Sequence, residues 1–70
     1  MKFQIDNMYK NILKDKNNAF LVTEVLEQTK NGVHLEVQWY QLTDSGKYIT
    51  IGVDGDFYIP KNQILHYVLV

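Results

Sequence analysis

In the run 33–42, VHLEVQWYQL, apolar and polar residues alternate from Val33 to Tyr40. Val33, Leu35, Val37 and Trp39 share one face, and His34, Glu36, Gln38 and Tyr40 share the other. A period of two marks a half-buried strand. The segment before it, 19–29 (AFLVTEVLEQT), is as rich in β-branched and apolar residues, but Glu24 and Val25 break its alternation. A bulge there, or burial on both faces, accounts for the break. Between the two runs lies K30-N31-G32, and Asn-Gly is a strong hairpin signal. A two-residue loop of Asn31-Gly32 would set Glu27 against Glu36, so a three-residue loop is favoured.

D44-S45-G46 predicts a three-residue turn with glycine where a positive φ is needed. That turn places Gln41 opposite Ile49, Trp39 opposite Ile51 and Val37 opposite Val53, apolar against apolar. D54-G55-D56 predicts a second tight turn, returning the chain as a short strand F57-Y58-I59. Pro60 cannot donate to a ladder and ends that strand. K61-N62-Q63 reads as a turn or a short 3₁₀ piece, and 64–70 (ILHYVLV) as a last strand buried on both faces.

The N-terminal part reads differently. KFQI (2–5) suits a short strand, and Asp6 suits a helix N-cap. Met8, Tyr9, Ile12 and Leu13 then fall on one face of a short amphipathic helix over 7–14, which KDKNN (14–18) ends. So short a helix must dock on the sheet to persist. The pattern as a whole predicts a single domain, 1–70. It is mainly β with one short N-terminal helix, its five strands forming a strongly bent antiparallel sheet or a small SH3-like or OB-like barrel. An open sheet with the helix across its face is the second arrangement the pattern allows.

The stretch DGDFYIPKNQI (54–64) resembles an ending found in short bacterial and phage proteins, mostly of uncharacterised role. In these, a strand ending in an aromatic or apolar residue runs into Ile-Pro-Lys-Ser-Gln and an aliphatic residue; here Asn62 stands in the serine's place. The resemblance covers about a sixth of the chain. It implies a small β-barrel-like fold with a short turn after Pro60, and brings no activity with it.

Composition narrows the chemistry. A chain of 70 residues has little apolar surface to bury, and without cysteine it has no disulfide or thiolate zinc ligand to help it. Net charge is −1, unevenly spread. Residues 1–20 hold four lysines against two aspartates, whereas 21–60 hold two lysines against six acids. Arginine is absent, which removes bidentate forks for phosphate or guanine. No apolar run reaches the length of a membrane span, and MKFQIDNMYK lacks the apolar region of a signal peptide. The expected setting is cytoplasmic, with no membrane association.

No catalytic constellation emerges. Ser45, the only serine, lies in a turn, and the paired carboxylates (Glu24 with Glu36, Asp54 with Asp56) have no evident enclosed pocket. His34 and His66 form no HxH or HxxxH pair and would need carboxylates to complete a ligand set, and Asp54-Gly55-Asp56 lacks the spacing and terminal glutamate of a calcium loop. An enzyme is not expected, nor a metal or other cofactor.

What stands out is the polar face of the predicted meander. The registers set Tyr40 opposite Thr50, Leu42 opposite Tyr48 and Gln38 opposite Gly52, with Tyr58 beside that glycine. Tyr40, Tyr48 and Tyr58 then form one cluster around Gly52, with Gln38, Glu36 and His34 alongside. Tyrosine suits a contact surface because a large apolar ring carries a polar tip, although it is also an ordinary strand residue. The expectation is a small non-catalytic binding protein, contacting a protein partner with a basic or mixed apolar–basic surface. A plausible instance is a phage or bacterial accessory protein inhibiting a larger nucleic-acid-handling factor. The alternative is a binder of single-stranded nucleic acid or nucleotide, stacking bases on the same tyrosines. A homo-oligomer through an apolar edge such as 64–70 is a third partner type.

Overall fold

The computed structural model describes residues 2–70. Five strands form one sheet: β1 (Met8–Asn11), β2 (Asn18–Thr29), β3 (Gly32–Leu42), β4 (Tyr48–Pro60) and β5 (Tyr67–Leu69). A 3₁₀ turn, Lys61–His66, joins the last two, as the residues after Pro60 led one to expect. The spatial order is β4-β3-β2-β1-β5, with every neighbouring pair antiparallel. β4 and β5 form the two edges, so no ladder closes the sheet.

The predicted N-terminal helix does not exist. Met8–Asn11 is a strand, paired with β2 through Tyr9 and Phe20 and with β5 through Tyr9 and Leu69. A stripe at i, i+1, i+4 and i+5 also fits a strand of four residues followed by a turn, and only the strand satisfies backbone groups on both sides. Asn11 ends it: its Oδ1 accepts the N–H groups of Leu13 (2.9 Å) and Lys14 (3.1 Å). Asp6 is not an N-cap. It sits at φ 71°, a conformation aspartate tolerates, and its N–H donates to the Val22 carbonyl at 2.8 Å. Residues 2–4 are not strand, although Phe3 is buried.

The second predicted turn is also absent. Asp54, Gly55 and Asp56 lie inside β4, opposite Gln38, Val37 and Glu36. The near half of the predicted register holds, with Tyr40 opposite Thr50, Gln41 opposite Ile49 and Leu42 opposite Tyr48. Beyond it the ladder shifts, so that Ile51, Gly52 and Val53 all stand across from Trp39. Gly52, at φ 73°, makes this bulge. A hairpin at 54–56 would have stripped β3 of a partner from Gly32 to Glu36. The bulge keeps both strands paired along their whole length.

The expected irregularity in β2 is present as two shifts, between Val22 and Glu24 and between Val25 and Glu27. They bring Thr29 opposite Gly32, so the hairpin loop is the two residues Lys30-Asn31 rather than a three-residue loop. The shifts also change the carboxylate pairing that argued for the longer loop: Glu27 faces His34, and Glu24 takes its place opposite Glu36. The turn at 44–46 forms as read, with Gly46 at φ 85°. The last strand is shorter than 64–70 and is not buried on both faces, since Leu65 is 73% and Leu69 60% exposed.

The core holds Phe3, Tyr9, Phe20, Val22, Val33, Leu35, Val37 and Ile59, with Val25, Trp39, Phe57, Ile64 and Tyr67 packed against it. Phe20 is at its centre. Its ring centroid lies 5.1 Å from Phe57 on β4, 5.5 Å from Trp39 on β3 and 5.8 Å from Tyr67 on β5. Rings from both edge strands therefore meet on one side chain of a middle strand, which requires the sheet to curl. The expected burial of Val37 holds, and Trp39 is half-buried. Ile51 and Val53 are not buried: the bulge turns them out, and they are 45% and 51% exposed.

Two outcomes follow from this packing. Phe20→Ala should lower unfolding free energy by about 3–5 kcal/mol, comparable with the whole stability of so small a domain. Chemical denaturation followed by Trp39 fluorescence should show the transition lost or shifted far toward zero denaturant. Deleting residues 7–14 should likewise abolish the cooperative transition, because β1 is the only link between β2 and β5. A truncated chain that unfolds like the intact one would contradict this role.

Candidate functional site

The outer face of the sheet, opposite Trp39 and Leu35, is built by alternation along β3. It presents His34, Glu36, Gln38, Tyr40 and Leu42 in sequence. Across on β4 stand Tyr58, Asp56, Asp54, Thr50 and Tyr48, and across on β2 stand Glu27, Glu24, Leu21 and Ala19.

All six expected site residues are therefore on one face, but they do not form one cluster. Tyr40 and Tyr48 are diagonal neighbours near the 44–46 turn, and the Tyr40 hydroxyl donates to Gln38 Oε1 at 3.3 Å. Tyr58 is not beside Gly52. It pairs with His34 at the other end of the ribbon, six residues along β3 from Tyr40, which is roughly 20 Å. The glycine beside it is Gly32, where a Cβ would run into the Tyr58 hydroxyl and the Ile59 carbonyl. Tyr58 is 49% exposed, and Tyr40 and Tyr48 are half-buried.

Between the two tyrosine ends lies a feature the sequence pattern concealed. Glu24, Glu36 and Asp56 stand in one row across three strands. Asp54 sits one row toward the tyrosines and Glu27 one row the other way. All five carboxylates are exposed. Glu24 with Glu36 and Asp54 with Asp56 stood out in the sequence as separate carboxylate pairs, but reading 54–56 as a turn sent the second pair away from the row. No lysine occupies a paired position on this face. The one close side-chain contact in the row is a hydrogen bond between His34 Nε2 and Asp56 Oδ2 at 2.8 Å. Both groups are well exposed, so solvent weakens the pair.

Like charges directly across a ladder are destabilising, with Cβ atoms about 5 Å apart. The row thus sets three carboxylates against one another with no lysine paired to them among the described residues, and a cationic partner would relieve the repulsion. The described residues contain no group of side chains arranged to hold a metal ion. No helix is long and apolar enough to cross a membrane. No family model matches the chain, and neither curated proteins nor solved structures yield a match, so function is read from this geometry.

The repulsion is measurable in the free protein. Glu36→Gln removes the middle charge of the row and should raise stability by about 0.2–1 kcal/mol at neutral pH. Added salt should stabilise the native chain more than this variant, since screening acts within a length of about 10 Å at 0.1 M. A variant less stable than the native chain at low salt would show that the carboxylates do not repel one another.

Proposed function

We propose that the chain is a small non-catalytic binding protein whose outer sheet face docks on a basic, or mixed apolar and basic, protein surface. The observation that carries this is the acidic row of Glu24, Glu36 and Asp56, extended by Asp54 and Glu27 and flanked at both ends by tyrosine. Opposite charge steers encounter, and the flanking rings of Tyr58, Tyr40 and Tyr48 supply apolar area for retention. Gln38 and His34 supply hydrogen-bonding groups between them.

The same face argues against the alternative, a binder of single-stranded nucleic acid. Stacked bases would suit the tyrosines, but phosphates need a positive groove, and this face has five carboxylates and no lysine. A basic surface shaped for nucleic acid is, by the same logic, one this face could occupy. That reading, with the resemblance of 54–64 to short bacterial and phage proteins, supports a cytoplasmic accessory protein that inhibits a larger nucleic-acid-handling factor. The architecture we read as a partly open SH3-like barrel. In support, the last strand returns to pair with the first, the 3₁₀ turn precedes it, and the two edges curl toward each other around Phe20.

The test is capture of partners on the native chain and on Glu36→Lys, each with and without nuclease. A protein retained after nuclease and lost with the charge reversal supports docking on a basic surface. Nucleic acid retained more strongly by Glu36→Lys than by the native chain is expected too, because the reversal removes repulsion. Nucleic acid bound well by the native chain would overturn the proposal. With the partner in hand, Tyr40→Ala and Tyr58→Ala should each cost more than about 1 kcal/mol of affinity by calorimetry. Association should slow as salt rises.

A further inference from the structure

The β2–β3 hairpin closes on the two residues Lys30-Asn31, and Gly32 follows at once as the first residue of β3. Asn31 is exposed and Gly32 is buried. The Asn31 backbone is engaged on both sides: its N–H donates to Thr29 Oγ1 at 3.1 Å, and its carbonyl accepts the Lys61 N–H at 2.9 Å. The second bond ties the hairpin loop to the start of the 3₁₀ turn. The Asn31 side chain borders an open hollow lined by Pro60, Lys61, Asn62 and Leu65, which leaves it room to turn.

Packing dictates the glycine. A Cβ at position 32 would run into the Tyr58 hydroxyl and the Ile59 carbonyl, and Ile59 belongs to the core. No other residue fits there without displacing β4. The fold therefore keeps a residue without a side chain directly after an exposed asparagine. That pairing has a chemical consequence. Asparagine is thermolabile because the backbone nitrogen of the next residue can attack its Cγ. A side chain on the next residue obstructs the attack, and glycine leaves the path open. Asn7, Asn11, Asn17, Asn18 and Asn62 precede Met8, Ile12, Asn18, Ala19 and Gln63, so Asn31 alone has this neighbour. Asp54-Gly55 is a related step, but both its residues are held in the β3–β4 ladder, opposite Gln38 and Val37.

We propose that Asn31 is a site of spontaneous deamidation, and that its rearranged product unfastens the hairpin loop from the 3₁₀ turn. The Gly32 nitrogen, having lost its proton to solvent, forms a bond to Asn31 Cγ. The Cγ–Nδ2 bond breaks, and Nδ2 takes up a proton and leaves as ammonia. A five-membered succinimide remains, and water opens it at either carbonyl. Opening at Cγ gives aspartate with the chain path unchanged. Opening at the backbone carbonyl gives isoaspartate: the chain now runs through Cβ and Cγ, one carbon longer, and the former backbone carbonyl becomes a free carboxylate. Gly32 cannot absorb the extra length, because it is packed against Tyr58 and Ile59. The loop must move instead, and the oxygen that accepted the Lys61 N–H moves with it.

The test is to hold the folded chain at physiological temperature in mildly alkaline buffer, beside a sample unfolded in urea, and to map its peptides by mass spectrometry over time. Isoaspartate is counted with an isoaspartyl methyltransferase. Asn62 is also exposed and serves as the internal reference. In the folded chain Asn31 should convert severalfold faster than Asn62, faster still as pH rises, with isoaspartate as the main product. Asn31→Gln, whose ring would have six members, should abolish conversion at this position. The isoaspartate form, separated by ion exchange, should unfold at lower denaturant than fresh protein. It should also lose protection of the Lys61 amide against hydrogen exchange. Asn31→Asp carries the new charge on the original chain path and should keep both properties. Conversion of Asn31 in the unfolded chain but no faster than Asn62 in the folded one would overturn the site. An isoaspartate form that matches Asn31→Asp in stability and in Lys61 protection would overturn the unfastening.

Discussion

One side chain ties the sheet together. Phe20 projects from β2 and meets rings from every other strand: Tyr9 on β1, Trp39 on β3, Phe57 on β4 and Tyr67 on β5. Aromatic pairs contribute about 0.5–1.5 kcal/mol each beyond the area they bury, and here several share one partner. For a chain without disulfide or metal, this convergence stands in for a larger core. It also explains the curvature. β4 and β5 share no hydrogen bonds, yet both must lean inward for Phe57 and Tyr67 to reach the same ring.

Curling divides the molecule into two unlike faces. The inside is apolar and aromatic, and the outside of β2, β3 and β4 carries the carboxylates. Strict alternation in β3 imposes this, because each core residue from Val33 to Trp39 is followed by a polar one. Stability alone would favour opposite charges along the outer rows. The observed row places three acids side by side, an arrangement that costs stability.

The long edge strand raises a separate problem. β4 runs for 13 residues with one side unpaired, and Ile49, Ile51 and Val53 are about half exposed along it. A flat edge of that kind invites pairing with another chain. The bulge at Gly52 interrupts it, and Asp54 and Asp56 place charge directly after the aliphatic stretch. Both devices discourage edge-to-edge association.

Local patterns determined much of this protein. The β3 strand, the 44–46 turn, the near half of the β3–β4 register, the irregularity in β2 and the turn after Pro60 are all written in short-range alternation and turn chemistry. So are the outward orientation of Tyr40, Tyr48, Tyr58, Glu36, Gln38 and His34 and the shared face they occupy. What the tertiary structure alone decided are choices between locally equivalent options. Met8–Asn11 satisfies a helical stripe as well as a strand, and the gap between β2 and β5 selects the strand. Gly52 and Gly55 could each accommodate a change of direction. The length of β3 that needs a partner puts the bend at Gly52 and leaves Gly55 in the ladder. That choice moved Tyr58 away from Tyr40 and brought Asp56 beside Glu36. The pocket that Asn11, Phe20, Trp39 and Tyr67 line on the inner side of the sheet was illegible for the same reason: these residues come from four different strands, and their meeting depends on the curl that packing around Phe20 imposes.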